Sequence, residues 1–468
     1  MVNFKYTDVA RKALEIARRS GGRLPSERSL CEICGISRIT GKKALNYLKD
    51  RGLVTRHKRK GSFLAEGKTA PKVSFLMVAP NTPEEMRAYF QREAEFFLGP
   101  RNCRQIDFST IGDEKVVSHI YGHGTKIIYW PYVGRLSNLG AFSDFDELPG
   151  FDEVCTHMDA SLCDWHRSLE GIRRCTAIPL HFGVNIFAFN RRFAKKLGLD
   201  TNTGPRTWDD IIEWGERCAL DSTISSTGGF HPKQPLPYSY YLTASGGLEY
   251  LTETPEGLKF NFPAGAGWFD LFRRLYALPN VYEMSTPTPG PDPLTRNRAL
   301  FSCEVGPWIQ CHRGTRLGDA LVTRPIPAAM PGGISCPRIG KYCVAMVPGG
   351  DADGVDLAWA FIKHLLCDAD AQRRMVEANP TIAANQTVRD EQAARPEWKT
   401  FIDAFHAGKA ASSHPVMFGL GALLKKSFAD CVTGRIGPAK AAAKVQELGN
   451  LLITIERECR NEEHTCFQ

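Results

Sequence analysis

The chain has 468 residues, too many for one hydrophobic core, and its 43% apolar and 24% charged residues are typical of globular protein. No stretch approaches the ~18 consecutive apolar residues of a membrane helix, and the first twenty residues lack the apolar segment of a secretory signal. These features argue against a membrane protein, and we expect a cytoplasmic protein of two or three domains with no membrane partner.

The charge is concentrated at the amino-terminal end. Residues 1–70 contain 17 lysines and arginines against 6 acidic residues, a net charge of +11, whereas the rest of the chain has a net charge of −3. A small basic domain joined to a nearly neutral one is typical of a nucleic-acid-binding module attached to a second function.

The cysteines indicate neither disulfides nor metal. Fifteen scattered cysteines are typical of reduced thiols in a cytosol. Cys31 and Cys34 have CxxC spacing, but a structural zinc site needs about four ligands and no matching second pair follows. We therefore expect both side chains to pack within a helix, and we predict no metal and no cofactor.

Three helices and a hairpin are predicted in the basic segment. Apolar residues at helical spacing predict a helix over residues 6–19, and Ser26 and Gly35 are suited to begin and end a second, short helix. Ser37 can cap a third helix over about 38–50. Two apolar runs on either side of a basic, glycine-containing tip then predict a β-hairpin over residues 53–64.

The segment from Leu24 to Ala65 closely resembles the winged helix-turn-helix of the GntR family of bacterial transcription factors. In that family, four positions of the two helices contact DNA, and the resemblance assigns them to Arg28, Arg38, Thr40 and Lys42. Arg38 is the expected base-contacting residue, because a guanidinium is the best bidentate partner for guanine. The other three contact either bases or phosphates, and Lys43 adds charge on the same helix. The wing residues Arg56, His57 and Lys58 are expected at the backbone or the minor groove.

One residue departs from the family pattern. Gly41 lies where the family usually has a larger apolar residue, and glycine inside a helix costs ~1 kcal/mol relative to alanine. This predicts either a less stable recognition helix or an unusually close approach to DNA.

The remainder of the chain reads as alternating strands and helices. A polar segment, residues 67–71, separates a domain over 1–66 from one over 72–468. Strands are predicted at 73–78, 105–108 and 126–130, with helices at 83–98 and 113–121, which implies a parallel sheet covered on both faces. Ligands bind such sheets beyond the carboxyl ends of the strands, where Trp130, Pro131 and Tyr132 lie.

Several segments, in order, resemble the type-II extracellular solute-binding proteins of ABC importers, especially the sugar-binding group. They are residues 177–190, the helix 193–199, Pro205 to Asp210, Ala244 to Gly247, 297–308, the helix 358–365, and Thr433-Gly434 with a helix over 438–455. The resemblance implies two α/β lobes joined by a hinge, a periplasmic-binding-protein-like type II fold, with a ligand in the cleft.

Sugar-binding members stack aromatic rings on the sugar. By position in the resemblance, the candidate ligand-binding residues are Trp130, Tyr132, His181, Phe182, Tyr240, Trp268, Trp308 and Tyr342. For each of them, the alternative interpretation is an aromatic residue packed in the core. Trp208 and Trp359 fall in the family's structural helices, and we expect them to be packing residues.

The combined pattern predicts a DNA-binding transcriptional regulator controlled by a small-molecule effector, which we expect to be a sugar or oligosaccharide. The resemblance also implies a homodimer on a pseudo-palindromic double-stranded DNA operator. No phosphate-binding loop, nucleophile elbow or HExxH motif is found, so we expect no enzyme. The alternative is a solute-binding protein or scaffold whose basic head docks to a partner protein.

Overall fold

The fold is described from a computed structural model. It describes residues 6–19, 23–50, 54–57, 61–64, 72–78, 84–99, 103–112, 115–134, 136, 140–167, 173–221, 223–224, 226–230, 251–254, 257–262, 265–278, 281–283, 294, 299–307, 309, 318–328, 333–349, 352–410 and 416–466. The expected linker, residues 67–71, lies outside these ranges.

The amino-terminal domain is a three-helix unit with a hairpin. Its helices are α1 (Tyr6–Arg19), α2 (Glu27–Cys34) and α3 (Arg38–Asp50), and an antiparallel pair, β1 (Val54–His57) and β2 (Gly61–Leu64), follows. Ala13, Leu30, Ala44 and Leu48 are central to a small core that the three helices share. The predicted helices and hairpin are confirmed.

Local capping chemistry sets the turn between α2 and α3. The Ser26 hydroxyl accepts a hydrogen bond from the backbone N–H of Ser29 at 3.1 Å, and Gly35 ends α2 with φ of 63°. Most residues avoid this left-handed conformation, whereas glycine adopts it readily. The turn brings α3 against α2 as a helix-turn-helix requires.

The first lobe contains an eight-stranded sheet, with strands in the order β16-β7-β15-β5-β3-β4 and with β17 on β15 and β6 on β7. Its strands are β3 (Val73–Val78), β4 (Ile106–Ile111), β5 (Thr125–Trp130), β6 (Asp164–Arg167), β7 (Arg173–Val184), β15 (Arg338–Val347), β16 (Ile382–Ala383) and β17 (Lys409–Ala410).

This sheet is mixed, so the expectation of a parallel sheet is only partly right. Strands β3, β4 and β5 are parallel as predicted, but β15 runs antiparallel between β5 and β7. The physical reason is that β15 returns from the second lobe and enters the sheet from the opposite end.

Helices cover the first sheet. They are α4 (Glu84–Leu98), α5 (Val116–Ile120), α6 (Phe151–His157), α10 (Ala352–Cys367), α11 (Ala369–Ala378), α12 (Gln386–Ala393) and α13 (Lys399–Ala407), numbered in chain order with those of the second lobe below. Phe75, Phe90 and Phe361 are fully buried in the larger of two hydrophobic clusters. The smaller cluster contains Ile128 and Trp130, from alternate positions of β5.

The second lobe contains a five-stranded sheet in the order β12-β9-β13-β8-β14. The strands of this lobe are β8 (Ile186–Asn190), β9 (Ser226–Phe230), the hairpin β10 (Leu251–Thr254) and β11 (Gly257–Phe260), β12 (Val281–Glu283), β13 (Ala299–Val305) and β14 (Leu321–Arg324). Its helices are α7 (Arg191–Lys196), α8 (Trp208–Ala219), α9 (Gly265–Ala277), α14 (Met417–Val432) and α15 (Pro438–Cys466). Phe187, Phe189 and Trp208 are fully buried in its core.

Successive elements of the described chain change lobe three times. Only Asn185 separates β7 in the first sheet from β8 in the second, and the other changes lie between β14 and β15 and between β17 and α14. Short crossing segments of this kind let two lobes rotate about a hinge. None of the helices in the described ranges is both long and apolar enough to cross a membrane.

Candidate functional site

Helix α3 has a basic face opposite its buried face. Gly41, Ala44 and Leu48 are buried against the rest of the domain. The side chains of Arg38, Lys42 and Lys43 are exposed. Three cations along one exposed helix face can contact phosphates and base edges in a DNA groove.

Two of the three arginines that the sequence assigns to DNA, Arg38 and Arg28, are paired with glutamates. Arg38 Nε lies 2.9 Å from Glu27 Oε1, and Arg28 Nε lies 3.1 Å from Glu32 Oε1. The Arg38 side chain is 89% exposed and that of Glu27 is 28% exposed, so Glu27 provides the fixed end of its pair. Exposed ion pairs of this kind contribute little to stability. From the sequence, Glu27 is expected to interact favourably with the amino-terminal end of α2, but its pairing with Arg38 is not predicted.

Thr40 makes its contacts within the turn. Its hydroxyl lies 3.0 Å from the Ser37 hydroxyl, and its backbone N–H donates to Ser37 Oγ at 3.3 Å. Ser37 therefore caps α3, as its position predicts, and Thr40 supports this cap. A DNA contact by Thr40 stays a prediction.

Gly41 lies against α2. A Cβ at this position would lie 2.8 Å from Cys31 Sγ and 3.7 Å from the Glu27 carbonyl oxygen. Glycine therefore permits close packing of the two helices. Of the two expectations for Gly41, a close approach to DNA is wrong, because the residue is buried on the face of α3 that contacts α2.

The wing is an antiparallel hairpin of two strands. Arg56 pairs with Ser62 and His57 with Gly61 across the hairpin, and Gly61 has φ of 105°. Lys58 lies outside the described residues. The DNA contacts predicted for Arg56, His57 and Lys58 stay predictions.

In the first lobe, four candidate ligand residues form two aromatic pairs near the end of β5, one in the smaller hydrophobic cluster and one against the larger. Trp130 is the last residue of β5, and its ring meets that of Tyr132 edge to face, with centroids 5.6 Å apart. Tyr342 stacks on His181 with centroids 4.5 Å apart, and burial, together with the nearby Tyr132, raises the pKa of Tyr342. We name these four residues, with Tyr129, the aromatic cluster.

His181 is neutral at physiological pH. Tyr129 Oη lies 2.6 Å from His181 Nε2, and both residues are buried, with 3% and 0% of their surface exposed. Burial lowers the pKa of His181 to about 3 and raises the pKa of Tyr129 well above its usual value. In the described structure, His181 Nδ1 is buried without a hydrogen-bond partner, so the imidazole keeps a polar atom available inside the cluster.

A buried ion pair lies next to the aromatic cluster. Asp164 and Lys341 are paired, and their side chains are 4% and 12% exposed. Burial alone would lower the pKa of Lys341, but attraction by Asp164 outweighs burial and raises it. Cys343 follows Tyr342, and its Sγ lies 3.8 Å from Asp164 Oδ2. A Cβ on Gly134 would overlap the same Asp164 carboxylate.

This ion pair is not predicted from the sequence. The available signal was a lysine within the apolar run of residues 338–347, since a lysine in a buried strand needs an anionic partner. Asp164 is 177 residues away in the chain, so no local pattern identifies it as that partner.

The other candidate ligand residues lie apart from the aromatic cluster. Phe182 is fully buried and packs on Phe405 with ring centroids 5.0 Å apart. Trp268 is buried in the core of the second lobe, edge to face with Phe262 at 5.2 Å. Both positions are packing positions in this structure. Tyr240 and Trp308 lie outside the described residues.

The two tryptophans expected to pack do so. Trp208 follows the Thr207 cap of α8 and is fully buried. Trp359 is buried in α10 and donates its indole N–H to the Pro149 carbonyl oxygen at 2.8 Å. Among the described residues, no group of three or more His, Cys, Asp or Glu side chains is arranged to hold a metal ion.

Residues 11–64 match the model of a protein family described as "Bacterial regulatory proteins, gntR family". The match spans α2, α3 and the hairpin and most of α1. A search of curated proteins found no matching sequence.

Solved structures of similar fold cover most of the chain. A cyclic alpha-maltosyl-1,6-maltose binding protein from Arthrobacter globiformis aligns with a TM-score of 0.64 and 13% identity, over 82% of this chain and 99% of that one. The GacH receptor of Streptomyces glaucescens GLA.O, solved unliganded and with acarbose, aligns with a TM-score of 0.67 and 15% identity, over 82% of this chain and 99% of that one. Maltose-bound T. maritima MalE3 aligns with a TM-score of 0.65 and 13% identity, over 81% of this chain and 100% of that one.

At these identities the likeness establishes the fold. The chain therefore combines an amino-terminal gntR-type winged helix-turn-helix with a two-lobed fold of the periplasmic-binding-protein kind.

Proposed function

We propose that the chain is a transcriptional regulator that binds DNA through α3 and senses a small-molecule effector between its two lobes. The observation that carries this proposal is the exposed basic face of α3 in a gntR-type domain, on the same chain as a two-lobed binding fold. Such a protein acts where DNA is, so we propose a cytoplasmic location.

On the DNA side, we propose that Arg38 contacts a guanine and that Arg28, Lys42 and Lys43 contact phosphates or neighbouring bases. Each of these two arginines pairs with a glutamate at the surface of the domain. A homodimer would place two such helices on a pseudo-palindromic operator with half-sites about one helical turn apart.

On the effector side, we propose a carbohydrate. Three observations support this: the similar structures are named for maltose-type sugars or acarbose, the aromatic cluster lies at the carboxyl end of β5, and a buried ion pair lies beside it. Aromatic surface packs against the apolar faces of a sugar ring, while buried polar groups hydrogen-bond its hydroxyls. Tyr132 and Tyr342 are half-buried and keep accessible surface for this contact.

The link between the two functions would be mechanical. Closure of the lobes about their crossing segments changes the position of the first lobe, to which the DNA-binding domain is attached through residues 67–71. A connection of about five residues transmits orientation better than a long flexible tether.

The experiment has two arms on the full-length protein. In the first, a bound sequence is selected from a pool of random duplexes, and its affinity is measured by fluorescence anisotropy at two salt concentrations. We expect affinity to fall steeply with salt, and Arg38→Ala to weaken specific binding by about 1–3 kcal/mol. Arg38→Lys, which keeps the charge but loses the bidentate geometry, should lose specificity and keep non-specific binding.

In the second arm, thermal stability is measured with maltose, acarbose and related oligosaccharides. A sugar that binds the folded state should raise the melting temperature. A protein that selects no duplex sequence and binds DNA independently of salt would instead support a head that docks to a protein partner.

A further inference from the structure

Ile39 is an exposed aliphatic residue on the basic face of α3. It is 71% exposed and lies between Arg38 and Thr40 in the first turn of the helix. In the described part of this domain, the other exposed large apolar side chains are Tyr6 and Ile33, which are 42% and 47% exposed.

Packing does not explain this position. At about 100° per residue, Ile39 lies about 160° from Gly41, about 140° from Ala44 and about 180° from Leu48. These three residues are buried. Ile39 therefore projects away from the core, on the side where Lys42 and Lys43 are exposed.

Helix propensity does not explain it either. Isoleucine is β-branched and is a weaker helix former than alanine, lysine or arginine, so an exposed isoleucine slightly destabilises the helix. An exposed aliphatic group among cations costs hydration without a compensating contact in the free domain. A contact made only in the complex would account for it.

The major groove contains one apolar group, the 5-methyl of thymine, beside the polar edges of all four bases. We propose that Ile39 contacts the 5-methyl group of a thymine next to the base pair that Arg38 contacts, and so selects that thymine. This inference rests on the proposed DNA-binding function. It adds a specificity determinant that carries no charge and no hydrogen bond.

The position of Ile39 next to Arg38 also limits how far apart their two base contacts can be. Arg38 is held at the surface by Glu27, at 2.9 Å, and Ile39 is the next residue of the same turn. Adjacent residues at the start of a recognition helix contact neighbouring bases, so the thymine should lie within one or two base pairs of the Arg38 contact.

The test removes one methyl group from the DNA. Duplexes with the sequence selected by the full-length wild-type protein are made with deoxyuridine in place of each thymine in turn. Burial of one methyl group by Ile39 predicts that one substitution per half-site lowers wild-type affinity about threefold to tenfold. The remaining substitutions should change affinity less.

Ile39→Ala should bind the thymine duplex about threefold to tenfold more weakly than wild type, and should bind the thymine and deoxyuridine duplexes equally. Alanine is the better helix former, so the variant should fold, which its melting temperature checks. Ile33→Ala, which shortens an exposed isoleucine on α2, is the matched control and should keep the wild-type preference for thymine.

Equal wild-type affinity for thymine and deoxyuridine at every position would overturn the inference while leaving DNA binding intact. Retention of the full thymine preference by Ile39→Ala would also overturn it. If no sequence is selected from the pool, the proposed DNA-binding function fails and this inference fails with it.

Discussion

Gly41 on α3 packs directly against Cys31 on α2, and a Cβ at residue 41 would lie 2.8 Å from the Cys31 sulfur. Cys31 also donates its S–H to the Ser37 carbonyl oxygen at 3.6 Å, in the turn that joins the two helices. The two residues together set how closely α2 and α3 approach. The position of the basic face of α3 thus depends on a contact on its opposite side.

The first prediction concerns this contact. In an unobstructed helix, Gly41→Ala would increase the stability of the helix by up to about 1 kcal/mol. Here the new methyl group would displace the Cys31 sulfur. We expect Gly41→Ala to be neutral or to destabilise α3 by about 1 kcal/mol, and Gly41→Ala in a Cys31→Ala background to stabilise it. Hydrogen exchange of the α3 amides in the full chain measures both effects. An equal gain in the two backgrounds would show that the contact is unimportant.

The second prediction concerns Glu27 as a positioning residue for Arg38. Glu27→Gln removes the negative charge 2.9 Å from Arg38 Nε and so weakens the attraction that positions the guanidinium. We expect non-specific affinity for DNA to rise severalfold, because a negative charge near the phosphates is lost, and base preference at the Arg38 position to weaken.

Glu32→Gln is the control for Glu27, since it removes the exposed partner of Arg28. It should leave base preference at the Arg38 position unchanged. An unaltered base preference in Glu27→Gln would assign Glu27 a purely structural role.

The third prediction concerns the aromatic cluster. Tyr132→Leu removes a ring that meets Trp130 edge to face. We expect this substitution to lower the affinity for the best-binding of the tested oligosaccharides about tenfold, or by about 1.4 kcal/mol. Tyr121→Leu, at an exposed tyrosine of the same lobe, should leave affinity unchanged. Isothermal titration calorimetry compares the two variants. Equal affinities would place the sugar elsewhere.

The fourth prediction is a pH dependence of the first lobe. Glu93 in α4 is buried, and burial alone would raise its pKa. Hydrogen bonds from Arg374 at 2.6 Å and from His364 at 3.1 Å outweigh burial and lower the pKa to about 2 from the usual 4.5. A carboxyl with a lowered pKa contributes stability above its unfolded pKa and loses it as the pH falls towards its folded pKa.

The melting temperature of Glu93→Gln should therefore lie well below that of wild type at pH 6, and the difference should shrink between pH 4.5 and pH 2. Glu95→Gln, at an exposed position of the same helix, should follow the wild type throughout. A difference between Glu93→Gln and wild type that stays constant with pH would contradict the assignment.

The DNA-binding domain was predictable because its signals are local. Ser26, Gly35 and Ser37 act on backbone groups within a few residues, and the basic residues of α3 follow one another on a single helix. The same reasoning identified strands β3 to β5 from short apolar runs.

The first lobe was less predictable because its decisive contacts are non-local. The paired residues of β15 lie 155–166 residues from those of β7 and 213–221 residues from those of β5, so no local pattern indicates a mixed sheet. The same holds for the pairing of Asp164 with Lys341 and of Glu93 with Arg374. Phe182 was a candidate ligand-binding residue but packs in the core. The sequence pattern of an aromatic residue in a strand is the same whether its side chain faces a ligand or a core.

The central claim is that one chain couples an effector site to an operator site, and reciprocal titration tests it most directly. The affinity of the full-length protein for its selected duplex is measured with and without the saturating sugar, and the affinity for the sugar with and without the saturating duplex. Linkage requires that both affinities change by the same factor, and a typical coupling of about 1–3 kcal/mol predicts a change of roughly 5-fold to 150-fold. A duplex affinity that stays the same at saturating sugar would contradict the account.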